Sequence, residues 1–197
     1  MNWRSARHWV FDMDGTLTVA VHDFAAIRRA LEIPPQDDIL AHLAALPAEQ
    51  AAAKHRWLID HERELAAAAR PAEGAAELLR CLQVRGCRLG ILTRNDRELA
   101  LLTLRTIGLL DCFEPAAILG RADSLPKPSP DGLLRLATAW RQPTQELVMV
   151  GDYLHDLECA RAAGAFPILV NRPDNLWPAL TGHHAASCRA LLEELDP

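Results

Sequence analysis

A doubly wound α/β domain built on a parallel sheet is the fold class this sequence predicts, and three observations carry that reading. Short apolar runs rich in β-branched residues alternate with stretches of helical periodicity, the pattern of parallel strands joined by crossover helices. Gly86, Gly108 and Gly164 fall where those helices should stop. The clusters of acidic and other polar residues follow directly on the apolar runs, at the strand ends where such sheets gather ligands.

Five strands are expected, at 8–11 (HWVF), 88–92 (RLGIL), 116–119 (AAIL), 147–150 (LVMV) and 167–170 (PILV). Leu99, Leu102 and Ile107 serve a helix from Asp96 to Gly108, and Leu133, Leu136, Ala137 and Trp140 recur at i, i+3, i+4 and i+7. Between the first two strands the alternation breaks. Residues 23–32, 37–46 and 48–69 predict three helices separated by Pro34-Pro35 and Pro47, and the third stacks Ala51, Leu58, Leu65 and Ala69 on one face. A fourth, 73–85, returns to the sheet after Arg70-Pro71. A structureless loop of that length is uncommon inside a domain. Residues 21–72 are therefore expected as an all-helical insertion, with hinges near Thr18–His22 and Arg70–Gly74, and 1–20 with 73–197 as the core.

The chain has 197 residues, half of them apolar and a quarter charged, enough for one core and a modest insertion. A net charge of −5 argues against a nucleic-acid partner held through phosphates. Cys81, Cys87, Cys112, Cys159 and Cys188 form no CxxC pair, so neither a disulfide framework nor a zinc site is expected. No apolar run approaches the ~18 residues of a membrane span, and the stretch after Arg4 and Arg7 ends at Asp12, too short for a signal peptide. A cytoplasmic protein without a membrane partner is the expectation, with monomer and homodimer both open. Of 21 basic residues only Lys54 and Lys127 are lysines, the compact point charges among planar guanidinium forks.

The chemistry centres on FDMDGTL, residues 11–17. Asp12 and Asp14 leave the first strand two apart, with Gly15 turning the chain behind them. Paired acids at a sheet edge must bind a cation, shift a pKa, or do both. Thr93, Arg94 and Asn95 follow the second strand and precede a helix whose free N–H groups could cradle an anion. Lys127 lies in KPSP, where Pro128 and Pro130 fix the approach to another helix. Asp152 follows the fourth strand, with Asp156 at the start of the next helix. So many carboxylates in one crevice call for a hard divalent cation, and Mg²⁺ prefers one or two carboxylates, waters and a substrate phosphate. The inventory suits phosphoryl transfer with an aspartate nucleophile.

Four motifs in order, DxDGT at 12–16, Thr93, Lys127 in KPxP and GDxxxD at 151–156, resemble those of the haloacid dehalogenase superfamily of hydrolases, in its phosphoglycolate-phosphatase-like branch. The resemblance implies sheet order 5-4-1-2-3 and a helical cap, Asp12 as nucleophile forming an aspartyl-phosphate, and Asp14 as general acid and then base. It further implies phosphoryl binding by Thr93 and Lys127, Mg²⁺ held by Asp12, Asp152 and the backbone carbonyl of Asp14, and Asp156 supporting those ligands. Tyr153 departs from the Ser that many relatives carry there. The implied activity is a Mg²⁺-dependent phosphatase of a small phosphorylated metabolite, phosphoglycolate-like. A phosphomutase of the β-phosphoglucomutase kind shares all four motifs and stays open. A haloacid dehalogenase needs no acid at Asp14, and a non-catalytic binding module would not need to keep Asp12, Asp14 and Lys127.

Outside the motifs, His22, His55 and Arg56 are the candidates for substrate specificity. His183-His184 reads as a loop dyad, His155 is expected near the crevice, and the tryptophans read as packing residues.

Overall fold

The computed structural model describes residues 2–21 and 23–195; His22 lies outside them. Strands β1 (His8–Phe11), β2 (Arg88–Leu92), β3 (Ile118–Leu119), β4 (Leu147–Gly151), β5 (Phe166–Leu169) and β6 (His183–His184) form one sheet in the order β3-β2-β1-β4-β5-β6. All its pairings are parallel, with β1 at the centre between β2 and β4. The order implied by the motifs is thus present, extended at one edge by a sixth strand.

The pleat sorts the strand residues between two cores. Trp9, Phe11, Leu89, Ile91, Val148, Val150 and Ile168 face one way, toward helices α4 (Ala75–Val84), α5 (Arg97–Thr106) and α8 (Cys188–Leu195). Val10, Leu92, Leu147 and Met149 face the other way, toward α6 (Asp131–Trp140) and α7 (Leu154–Ala163). A strand covered on both faces has no polar alternation to show, which is why these runs are continuously apolar. The periodic residues Leu133, Leu136, Ala137 and Trp140 all lie buried in the second core.

Three helices lie between β1 and α4: α1 (Phe24–Ala30), α2 (Ile39–Ala44) and α3 (Ala48–Ala67). Asp23 and Asp38 cap the first two, accepting the N–H groups of Ala26 and Ala41 at 2.8 and 3.0 Å. Ile27, Leu31, Ile33, Leu43 and Leu58 form a small apolar cluster of their own. Lys54 on α3 donates to the carbonyl of Leu31, tying α3 to the end of α1. The chain enters and leaves this segment along a short antiparallel ribbon. Thr18 bridges Pro71, Val19 N–H donates to Arg70 O at 2.9 Å, and Ala72 N–H donates to Leu17 O at 2.9 Å.

Several boundaries differ from expectation. Ala116 and Ala117, expected in the third strand, instead lie in a 3₁₀ turn that Pro115 opens at its first position, and β3 shrinks to Ile118–Leu119. The fifth strand starts and ends one residue earlier than predicted, at Phe166 and Leu169. His183-His184 is not a loop dyad: the pair forms β6, paired with Ile168 and Leu169. His183 stacks on Trp3 at 4.6 Å between ring centroids, and its Nε2 lies 3.0 Å from a Glu194 carboxylate oxygen. Trp3, Trp9 and Trp140 are buried, whereas Trp57 is partly exposed and stacks on His61.

Leu79, fully buried between α4 and the sheet, should be costly to truncate. Leu79→Ala is expected to lower unfolding free energy by about 2–5 kcal/mol, read from the shift in a urea unfolding midpoint.

Candidate active site

The sheet's carboxyl edge brings Asp12, Thr93, Lys127, Asp152 and Asp156 into one crevice, all of them buried. Asp12 leaves β1, Thr93 leaves β2, Asp152 leaves β4 and Asp156 sits in the first turn of α7. Lys127 comes from the loop between β3 and α6. Its ammonium donates to Asp12 Oδ1 at 2.5 Å and to Asp156 Oδ1 at 2.7 Å. The other Asp156 oxygen accepts the N–H of Tyr153 at 3.1 Å, closing the first turn of α7.

Two glycines make this crowding possible. Gly15 has φ +86°, and a side chain on it would begin 2.6 Å from Asp152 Oδ2, so the turn after Asp14 packs directly on that carboxylate. At Gly151, a Cβ would lie 2.2 Å from the carboxyl carbon of Asp156. The glycines of DxDGT and GDxxxD therefore leave room for acids delivered by the same motifs.

Asp152 also meets Thr16 Oγ1 at 3.2 Å, and Arg172 grips it twice, at the carboxylate (3.0 Å) and at the backbone carbonyl (2.8 Å). Asn171, in left-handed backbone at φ +57°, donates its amide to the carbonyls of Gly15 (2.9 Å) and Thr16 (2.8 Å). Its side-chain oxygen accepts the N–H of Cys188 at the start of α8. Sequence reasoning missed Thr16, Asn171 and Arg172. Their signal was position: Asn171-Arg172 follows the fifth apolar run, at the sheet edge that supplied every other site residue.

Asp12, Asp152 and Asp156 each offer an oxygen within 4.8 Å of the others. Burial pushes the Asp152 carboxyl up to about 7, with repulsion from Asp12 and Asp156 adding to it and Arg172 and Thr16 opposing. Burial also raises Asp156, to about 6, against the pull of Lys127. Burial alone would lower Lys127, but the charges of Asp12 and Asp156 outweigh it and hold the amine above its ordinary range. Three clustered carboxylates against Lys127 and Arg172 leave negative charge in excess, and an all-oxygen donor set suits a hard divalent cation. The residues fit Mg²⁺.

Thr93 Oγ1 accepts the N–H of Asn95 at 3.0 Å, shaping the turn into α5. Asp14, Thr93, Arg94 and Asn95 all line the cavity above the crevice. Arg94 is also tied to the helical segment, its guanidinium 2.5 Å from Asp38. Neither His55 nor Arg56 lines the cavity; Leu58 and Glu62 of α3 do. Arg56 lies two residues from Leu58, turned about 200° around the helix, and is exposed. His55 is one turn earlier than Leu58.

The sheet and its edge define an α/β enzyme of the doubly wound class. A family model described as haloacid dehalogenase-like hydrolase matches residues 7–164. A haloacid dehalogenase-like hydrolase domain-containing protein of Arabidopsis thaliana is 34% identical over 181 residues, 86% of this chain and 72% of that one. A phosphoglycolate phosphatase of Chromobacterium violaceum is 32% identical, covering 86% of this chain and 87% of its own. Among solved structures, a hydrolase from Pseudomonas syringae superposes with a TM-score of 0.81 at 25% identity, over 97% of this chain and 98% of that one. The chain belongs to the haloacid dehalogenase-like hydrolases. It falls in their phosphoglycolate-phosphatase-like branch and is an enzyme of the phosphatase class. Among the described residues no helix is long and apolar enough to cross a membrane.

The raised carboxyls set a pH dependence. In chelator, the folded chain binds more protons than the unfolded chain between about pH 4, the ordinary aspartate range, and about 7, where folded Asp152 titrates. The contribution of Asp152 to stability therefore falls as pH rises through that window. Asp152→Asn is expected to gain melting temperature relative to wild type from pH 5 to pH 8, measured by thermal unfolding in chelator; a constant difference would exclude the strained carboxyl.

Proposed function

We propose that the protein is a Mg²⁺-dependent phosphatase that transfers the phosphoryl group of a small phosphorylated metabolite to Asp12 and then to water. The observation that carries this reading is the buried Lys127 ammonium held between Asp12 and Asp156, with Asp152 adjoining. A carboxylate nucleophile facing a phosphate dianion needs cationic relief, and Lys127 lies against the attacking group itself.

In this reading an Asp12 oxygen attacks phosphorus and the P–O bond to the substrate alcohol breaks. Asp14 gives its proton to the departing oxygen, then takes one from the water that attacks the aspartyl-phosphate. That second attack breaks the bond between phosphorus and Asp12 and releases inorganic phosphate. Thr93, Asn95 and Lys127 hold the transferring group, with Arg94 at the rim. Asp12, Asp152 and the backbone carbonyl of Asp14 would hold Mg²⁺, while Asp156 braces Lys127; bound there, the ion neutralises developing charge on the phosphoryl oxygens. Residues 21–72 serve as a cap that keeps bulk water out. Phosphoglycolate is the first ester to try, because relatives of the chain carry that name.

Phosphate release from an alkyl ester should vanish in excess chelator, return with Mg²⁺, and be lost in Asp12→Asn with the fold intact by circular dichroism; wild-type turnover in that variant would exclude the covalent route. Asp14→Asn should slow the single-turnover burst by about 10²–10⁴-fold for an alkyl phosphate and much less for an acyl phosphate, whose leaving carboxylate needs no proton. Equal slowing of both would place Asp14 in loop or metal support instead.

A further inference from the structure

We infer that the substrate is a phosphomonoester whose alcohol bears an apolar ring and is larger than glycolate. This inference rests on the phosphatase reading above and names its substrate class.

Size is the first ground. The cavity over the crevice measures about 530 Å³. At about 30 Å³ per water in the liquid, that is room for well over a dozen waters, and pockets of about 300–1,000 Å³ take drug-sized ligands. Phosphoglycolate has about nine non-hydrogen atoms and would leave most of the space unfilled. Two ion pairs clamp the helical segment to the core. Arg94 meets Asp38 at 2.5 Å, and Arg121 meets Glu62 at 2.6 Å with both side chains largely buried.

The wall is the second ground. Opposite the crevice, the helical segment presents Phe24, Ile27, Ile39, Leu40 and Leu58. Phe24 is 55% exposed and Tyr153 48% exposed, so two aromatic side chains border the cavity with much of their surface uncovered. Aliphatic and aromatic groups reward an apolar ring.

Benzyl phosphate and phosphoglycolate both expel a primary alcohol, so comparing them isolates the body from the chemistry. With Mg²⁺ present and released phosphate measured, kcat/KM for benzyl phosphate should exceed that for phosphoglycolate at least tenfold. Phe24→Ala should cut that ratio at least fivefold, and Ile39→Arg, which adds a cation to the wall, should shift it toward phosphoglycolate. Equal or better hydrolysis of phosphoglycolate by the wild type would overturn the inference while leaving the phosphatase reading intact. A ratio unmoved by either substitution would overturn the assignment of the wall. Release of phosphate from neither ester would overturn the inference, and failure on a generic aryl phosphate as well would overturn the Mg²⁺-dependent phosphatase reading.

Discussion

One buried ammonium holds the site together. Lys127 is 4% exposed, and its Nζ spans Asp12 and Asp156, which arrive from opposite ends of the chain's first and fourth motifs. Removing one partner of such a buried arrangement typically costs about 3–5 kcal/mol, because the other charges are then left uncompensated. Without Lys127, Asp12, Asp152 and Asp156 would face one another with no buried cation between them. The residue type matters too. Nineteen of the 21 basic residues are Arg, yet this position takes a Lys, whose compact head with three donors fits between two carboxylate oxygens where a planar fork would not.

The same crevice is organised by different physics at its floor and at its roof. The floor is electrostatic and braced from behind: Arg172 grips Asp152, and Asn171 fastens the turn after Asp14 to the start of α8. The roof is apolar, built from helices whose own cluster of Ile27, Leu31, Ile33, Leu43 and Leu58 sets their mutual packing. Ion pairs from Arg94 and Arg121 join the two. A floor that fixes charge and a roof that selects shape can vary independently.

What could be read from the sequence follows from where the information lies. β1, β2 and β4 were legible because burial on both faces leaves an unbroken apolar run, and the motif residues were legible because each sits just past such a run. β6 was not, since a two-residue edge strand made of His183 and His184 carries no apolar signature. The helix after it did carry one: Cys188, Leu191 and Leu195 recur at i, i+3 and i+7 and are all buried. Arg94 reads locally as an anion contact, but its pairing with Asp38 spans 56 residues and exists only in the folded chain. Arg172 reaches Asp152 from a residue adjoining the left-handed Asn171, a backbone conformation that composition does not announce. Helix periodicity alone could not place Leu58 rather than His55 at the cavity, because which turn of α3 overhangs the crevice is decided by tertiary packing.

The ribbon formed by residues 17–19 and 70–72 has an architectural consequence. The chain departs from the sheet and comes back at the same spot, with Val19 and Arg70 joined by a hydrogen bond. The strands therefore do not register how much polypeptide lies between, and closing a longer excursion there adds only slowly to the entropic cost of the loop. Such a junction works as a socket. Different helical modules could be plugged into the same catalytic base over evolutionary time, each bringing a new ceiling, without disturbing a single strand pairing below.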